Sequence, residues 1–458
     1  MKLLVKSPLF LLSFALIVLL NANYTILRSC RNTIALTCFG GSASHLPYFE
    51  LFGTLPGSIL MTALVSKLAG HLDAKRLFFL VLLLFLSFFL GFTFILYPFL
   101  SQLPPFVATL SSMLFYVMAE LWKIIPFTVL FWGLLNKNMT EGEAKIFYGP
   151  LMLGGSLGTM LAGPLIVLCT TDTITTSWHD SLAKLTLLLT FSGALIFYLY
   201  GTLWQRFESR AFQEKREKKM SLKKSLFLTW NSPTLFFLGW IVLTDFLAYT
   251  LGEVIFLDLL KEKFPDPKHY CQFQGTLSFW VGILTTISAL IFTPWMLKRT
   301  SWTAVALVTP IAVLLTEGAF FIVLRLHCNH PPLLNWAIFL GSLQYCLCRA
   351  AKYTFFDTSK ELVFVGIDPS EKMGGKLAID GIAARVGKGG ASALTLLLSR
   401  LFGGVRASAP LAGLIALAFG GCWLMATLKL GHKISSTGSG TSSLRKSGDH
   451  SNPLDTAT

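Results

Sequence analysis

At 458 residues, 53% hydrophobic and 13% charged, with a mean hydropathy of +0.64, the chain holds more apolar side chain than one water-soluble core of its length could bury. That argues against a soluble globular protein and for one that crosses the membrane many times. A net charge of +15 would suit an anionic cargo, but much of it lies in loops and tail, where it sets topology.

A spanning helix needs about 20 mostly apolar residues. Twelve such stretches are expected in chain order, at 8–27, 47–69, 77–100, 106–135, 147–169, 182–204, 233–260, 274–297, 303–324, 333–356, 376–402 and 408–430. The fold class is therefore all-α, with about twelve transmembrane helices in two six-helix bundles. The bundles are placed at 1–204 and 233–432, with a basic cytoplasmic linker at 205–232 and a disordered polar tail at 433–458.

The linker run "QRFESRAFQEKREKKMSLKKSL" carries eight Lys/Arg against three Glu and cannot itself cross a bilayer. Basic loops at Lys75 and Arg76, Lys137 and Lys145, and Lys298 and Arg299 lie on the same side, which puts both termini in the cytoplasm. Lys261, Lys263 and Lys268 run against that bias. The N-terminal run, with Lys2 and Lys6 before it, is read as a span and not a cleaved signal, because it continues into "NYTIL" without a small-x-small site. Eight scattered cysteines show neither a disulfide framework nor a zinc spacing, and no cofactor is expected.

An ionisable side chain at bilayer depth costs from about 3 to more than 10 kcal/mol unless it meets a wet cavity or a partner. Arg28, Arg31, Glu50, Glu120, Lys123, Asp245, Glu253, Arg349, Lys352, Arg385 and Lys388 sit deep in, or at the ends of, the spans. Glu120 and Lys123, at i and i+3, either neutralise one another or border a cavity, and Pro126 kinks the same helix. Asp245 and Glu253 lie about two turns apart on one face and could carry protons or counter a cation. Arg385 and Lys388 share a face and call for something negative from elsewhere, either a glutamate on another helix or an anionic ligand.

No Walker A loop, G-x-S-x-G elbow, H-E-x-x-H pair or Rossmann fingerprint is present, so transport is expected and not catalysis.

Several blocks carry a resemblance: "NYTILR" (23–28), "LPYFELFGTLP" (46–56), "AELWKIIPFTVLFWGLLN" (119–136), "EAKIFYGP" (143–150), "AKYTFFDTSKELVF" (351–364) and "KLAIDGIAARVGKGGASAL" (376–394). In order and spread, the chain resembles the non-mitochondrial ATP/ADP translocases of plastids and obligate intracellular bacteria. The resemblance implies a major-facilitator-like carrier that exchanges nucleotides across the inner membrane. It places the transport charges on Arg31, where the family usually has Lys, and on Glu120, Glu253 and Lys388. Arg31 presents a planar fork in place of a point charge, and Glu50 stands where many members have Lys.

On this reading Arg31 and Lys388, from opposite bundles, hold the phosphates, with Lys352 and Arg385 assisting and Asn136 included among the binding residues. Glu120 and Glu253 pair with the emptied cations and govern the return of the unloaded carrier. Asp245, Glu143, Lys145, Asp357 and Lys360 are candidate proton or gate residues. The charged connections "NKNMTEGEAKIFY" and "AKYTFFDTSKELVFVGIDPSEKMGGKLAID" are expected to form an inner gate of salt bridges. A nucleotide and the bilayer are the expected partners, nucleic acid is not, and a monomer is expected. A proton-coupled importer of nucleotides or NAD is the alternative.

Overall fold

The computed structural model describes residues 7–171, 177–208, 230–327, 331–365, 367 and 374–447. Most of the expected linker (209–229) and the last residues of the tail (448–458) lie outside them. In chain order the helices are α1 (Pro8–Thr37), α2 (His45–Leu68), α3 (Ala74–Gln102), α4 (Pro105–Asn138), α5 (Glu141–Thr170) and α6 (Trp178–Glu208). The second set is α7 (Pro233–Lys263), α8 (Pro267–Arg299) and α9 (Trp302–His327), then α10 (Leu334–Ala351, continued by Lys352–Phe356 and Asp357–Val365). α11 (Leu377–Ala383, continued by Ala384–Phe402) and α12 (Ala409–Ser447) complete it.

Ten helices among the described residues are long and apolar enough to cross a membrane. The more polar α10 and α11 fall where the tenth and eleventh spans are expected, so the arrangement is compatible with twelve. α12 runs on to Ser447, where the Ser/Gly/Thr composition led us to expect a disordered tail from Ser435. Extending an existing helix fixes one residue per added bond, without the cost of a new nucleus.

Local sequence sets the ends. Proline at the first helical position starts α1, α4, α7 and α8, where the missing N–H would have had no partner. Thr140 and Glu143 form a reciprocal capping box on α5.

π-helical turns interrupt six helices: Glu50–Thr54 in α2, Phe92–Leu96 in α3, Lys123–Phe131 in α4, Ser288–Phe292 in α8, Lys352–Phe356 in α10 and Leu377–Ala383 in α11. Pro126 accounts for the one in α4, because it cannot donate the i→i−4 bond. α4 and α10 are the fourth helices of their sets, and in both the π-turn begins at a lysine.

The α1–α6 core is one cluster built around Phe78, Phe85, Phe89, Trp122, Phe131 and Tyr200. A second cluster joins the two bundles. It packs Ala35, Leu36, Leu46, Phe49 and Tyr116 of the first with Leu251, Phe256, Tyr270, Phe320 and Leu398 of the second. These residues lie toward the end holding the α1–α2 and α7–α8 turns, called the far end below. The near end is the one where α1 and α7 start.

From the far end to mid-depth α5 and α8 nearly touch. A Cβ added at Gly163 would lie 2.7 Å from the Gly275 carbonyl oxygen, and one at Gly282 would lie 2.5 Å from the Met160 Cα. In lipid, where apolar burial drives little helix association, such small residues let backbones approach and gain packing.

Between described residues, every hydrogen bond or ion pair joining the bundles lies at mid-depth or toward the far end. These are Arg28 to Tyr345, Asn32 to Gln274, Lys261 to the Gly41 carbonyl, and Lys388 to Glu50 and Glu120. The bundles are therefore tied to one another at mid-depth and toward the far end.

Candidate functional site

Two charge clusters lie at mid-depth. In the first, the Glu120 carboxylate (α4) accepts from the Arg31 guanidinium (α1) through Oε2 and from Lys388 Nζ (α11) through Oε1 at 2.6 Å. Lys388 also reaches Glu50 Oε1 (α2) at 2.9 Å, and the Tyr24 hydroxyl donates to Glu120 Oε2 at 3.2 Å. The Arg31 guanidinium lies 4.4 Å from the centre of the Tyr116 ring. Arg31, Glu50 and Glu120 are buried, whereas the Lys388 side chain is 32% exposed, so one cation of the bridge remains reachable.

The second cluster belongs to α7 and α10. Arg349 donates to Glu253 Oε1 at 2.5 Å, and Lys352 pairs with the buried Asp245. The Arg349 guanidinium packs 4.3 Å from the Tyr345 ring centre, and Lys352 Nζ lies 4.2 Å from that of Phe246. From the other bundle, Arg28 donates to the Tyr345 hydroxyl at 2.7 Å.

Charge balance separates these groups. Arg28, Arg31, Lys123, Arg349, Lys352 and Lys388 give six cations, against the four carboxylates Glu50, Glu120, Asp245 and Glu253. The two left over are identifiable. Among the described residues Arg28 and Lys123 have no carboxylate within 4 Å, and Lys123 Nζ lies 5.2 Å from the Tyr24 ring centre. Two uncompensated cations at bilayer depth are unfavourable in an empty site and favourable beside an anion.

The expected residues distribute as follows. Arg31, Glu120 and Lys388 converge, and Glu253 faces its own partner, Arg349, in the second bundle. Glu120 takes Arg31 and Lys388 and not Lys123, its i+3 neighbour, whose Nζ lies instead 5.2 Å from the Tyr24 ring centre. Lys352 belongs to the Asp245 pair.

Arg385 is exposed and has no ion pair among the described residues, so it does not raise the cost of Lys388 as the shared helix face suggested. Asn136 stands apart, at the near end of α4, where it accepts from the Tyr148 hydroxyl at 2.5 Å. Sixteen residues of helix, about 24 Å at 1.5 Å per residue, separate it from Glu120, which is too far for one ligand group to touch both.

Glu143 caps α5, and the Lys145 side chain lies outside the described residues. Lys360 bridges Asp380 at 2.8 Å and Asp357 at 3.8 Å, and Lys376 bridges Glu361 at 2.6 Å. These contacts tie α10 to α11 inside one bundle.

Arg28 and Arg349 stood out in the sequence as costly membrane charges, but nothing there paired them with tyrosines. A groove of about 1520 Å³ opens elsewhere, at the far end between the starts of α2, α4 and α12 and the ends of α9 and α11. It holds none of these charges.

Comparison with known proteins fits this geometry. The chain is 31% identical to ADP,ATP carrier protein 1 of Chlamydia trachomatis serovar D, over 92% of this chain and 87% of that protein. It is 30% identical to the chloroplastic ADP,ATP carrier protein 2 of Arabidopsis thaliana, over 92% and 73% respectively. Among solved structures it resembles an inward-facing bacterial homologue of the iron transporter ferroportin (TM-score 0.65, 14% identity, 93% of this chain and 100% of that one). It also resembles the nucleoside transporter NupG (TM-score 0.61, 12% identity, 93% and 98%). At such identities these two establish the major-facilitator-like fold alone. The model of the TLC ATP/ADP transporter family matches residues 3–112 and 104–434, and the chain belongs to that family.

Proposed function

We propose that the chain exchanges ATP for ADP by alternating access across a bacterial inner membrane, with both termini in the cytoplasm. The observation that carries this reading is that one carboxylate, Glu120, holds cations from both bundles, Arg31 and Lys388. A triphosphate has about four negative charges whose hydration must be replaced on entry. Its oxygens substitute for Glu120 as acceptors, and the bridge re-forms when the cargo leaves.

Arg28 and Lys123, which lack carboxylates, are the cations an incoming phosphate meets at least cost. Arg28 and Arg31 present forks suited to bidentate contact, and Lys123 and Lys388 present point charges. The base stacks on one of the tyrosines lining the clusters, Tyr24, Tyr116 or Tyr345.

With the site empty, the Arg31–Glu120–Lys388 bridge keeps the far end shut, which favours exchange over leak. The near end, marked by Lys75, Arg76, Lys298 and Arg299, is cytoplasmic by the distribution of positive charge.

The test is uptake of labelled ATP by proteoliposomes with and without internal ADP. Uptake that requires internal nucleotide supports exchange. Equal uptake by empty vesicles refutes it and leaves net import, a reading that one buried carboxyl also favours.

A further inference from the structure

Glu317 sits in "VLLTEGAFF" on α9, is fully buried, and has no hydrogen-bond partner for either carboxyl oxygen. It fills a notch made by Gly252 of α7. A Cβ added at Gly252 would lie 2.2 Å from Glu317 Oε1 and 3.4 Å from Gln344 Nε2 of α10. Neither end of the Gln344 amide is partnered.

The neighbouring groups decide its state. From α7 come Glu253, the residue after Gly252, and Tyr249, whose hydroxyl is unpartnered. From α10 come Gln344, Tyr345, Cys348 and Arg349. Cys348 lies 3.4 Å from the Thr316 hydroxyl, and Arg349 is engaged with Glu253 while its Nε has no partner. α12 meets α9 through Gly413 against Phe321 and Gly420 against Leu314, and its residues 409–428 carry no charge. Nearer the start of α9, the elements packed against it carry Asp245 paired with Lys352, and also Tyr353, Arg299, Asp357, Lys360 and Glu361.

A fully buried, unpaired carboxylate is so unfavourable that the group takes a proton instead. Gly252 of the notch directly precedes Glu253, whose pair with Arg349 ties α7 to α10, so separating these two helices opens the notch.

We propose that Glu317 is a proton-binding site. It is neutral in the conformer described here and releases its proton to water when α7 and α10 separate, so that proton movement is tied to movement of the cargo. The O–H bond breaks, the proton leaves to cavity water, and that water solvates the carboxylate left behind. The coupling part of this inference rests on the nucleotide reading above, whereas the proton site itself does not.

The test uses the purified full chain and Glu317→Gln, which mimics the protonated group in shape. Infrared spectra in H₂O and D₂O should show, in the parent protein, the carbonyl stretch of a protonated carboxylic acid in an apolar setting, and E317Q should lack it. Identical spectra would overturn the proposal. In proteoliposomes, one proton per nucleotide makes the limiting accumulation of ATP change about tenfold per unit of imposed pH gradient. That dependence should vanish in E317Q.

Parent uptake indifferent to the gradient, or E317Q uptake that still follows it, would overturn the coupling. If the parent moved no nucleotide yet showed the carbonyl band, the cargo reading would fall and the proton site would stand.

Discussion

Lys388 of α11 donates to Glu120 of α4 at 2.6 Å, although the two residues belong to opposite bundles and Glu120 already accepts from Arg31. In the proposed exchange this carboxylate stands in for cargo, and removing it should have a distinctive effect. Glu120→Gln deletes the competitor that phosphates must displace and leaves two cations together. Initial exchange rates against ATP concentration should show KM and maximal rate both falling. A raised KM would contradict the substitution of phosphate for Glu120.

Arg28 and Lys123 are the two central cations without a carboxylate. Charge-assisted hydrogen bonds are worth about 1.5–3 kcal/mol each, so Arg28→Gln or Lys123→Gln should raise KM for ATP about tenfold to hundredfold. Neither change strands a buried carboxylate, so thermal stability of the purified protein should stay close to the parent's. Competition by ADP and ATP would then show which cation meets the terminal phosphate.

The spans and the costly charges were legible because each follows from one-dimensional rules. An apolar run of about 20 residues implies a crossing, and a charge inside it needs a reason. Pairings were less legible. The i, i+3 spacing of Glu120 and Lys123 suggested a local ion pair, but Glu120 is taken by cations on helices far apart in sequence, which spacing along one helix does not reveal. Asn136, grouped with the site by its place in a motif block, lies half a helix away from it. Glu317 is hard to see in the sequence because one acid within "VLLTEGAFFIV" barely lowers the local hydropathy, yet its isolation in an apolar run is the signal that marks it.

Asp245 is buried against Lys352, so breaking the pair from one side leaves an uncompensated charge. Lys352→Gln alone should destabilise the fold by about 3–5 kcal/mol. Adding Asp245→Asn should recover most of that loss. Thermal unfolding of the four proteins in a double-mutant cycle measures the coupling, and strict additivity would count against a paired role.

Gly282 faces the Met160 backbone at mid-depth in the α5–α8 seam, where no flexible side chain can give way. Gly282→Val should wedge α5 from α8 and depopulate the far-end-shut conformer. With Ala35→Cys added as a reporter buried in the cross-bundle cluster toward the far end, labelling by a membrane-impermeant thiol reagent should speed up several-fold. Unchanged labelling would show that this seam does not hold the far end shut.

Joint binding of phosphate by the two bundles is best tested by equilibrium binding of ATP to the purified parent, Arg31→Gln, Lys388→Gln and the double variant. Each single change should weaken binding about tenfold or more. The double change should cost less than the sum of the two, because both cations serve one anion and share one carboxylate. Binding by the double variant equal to the parent's would contradict the central claim.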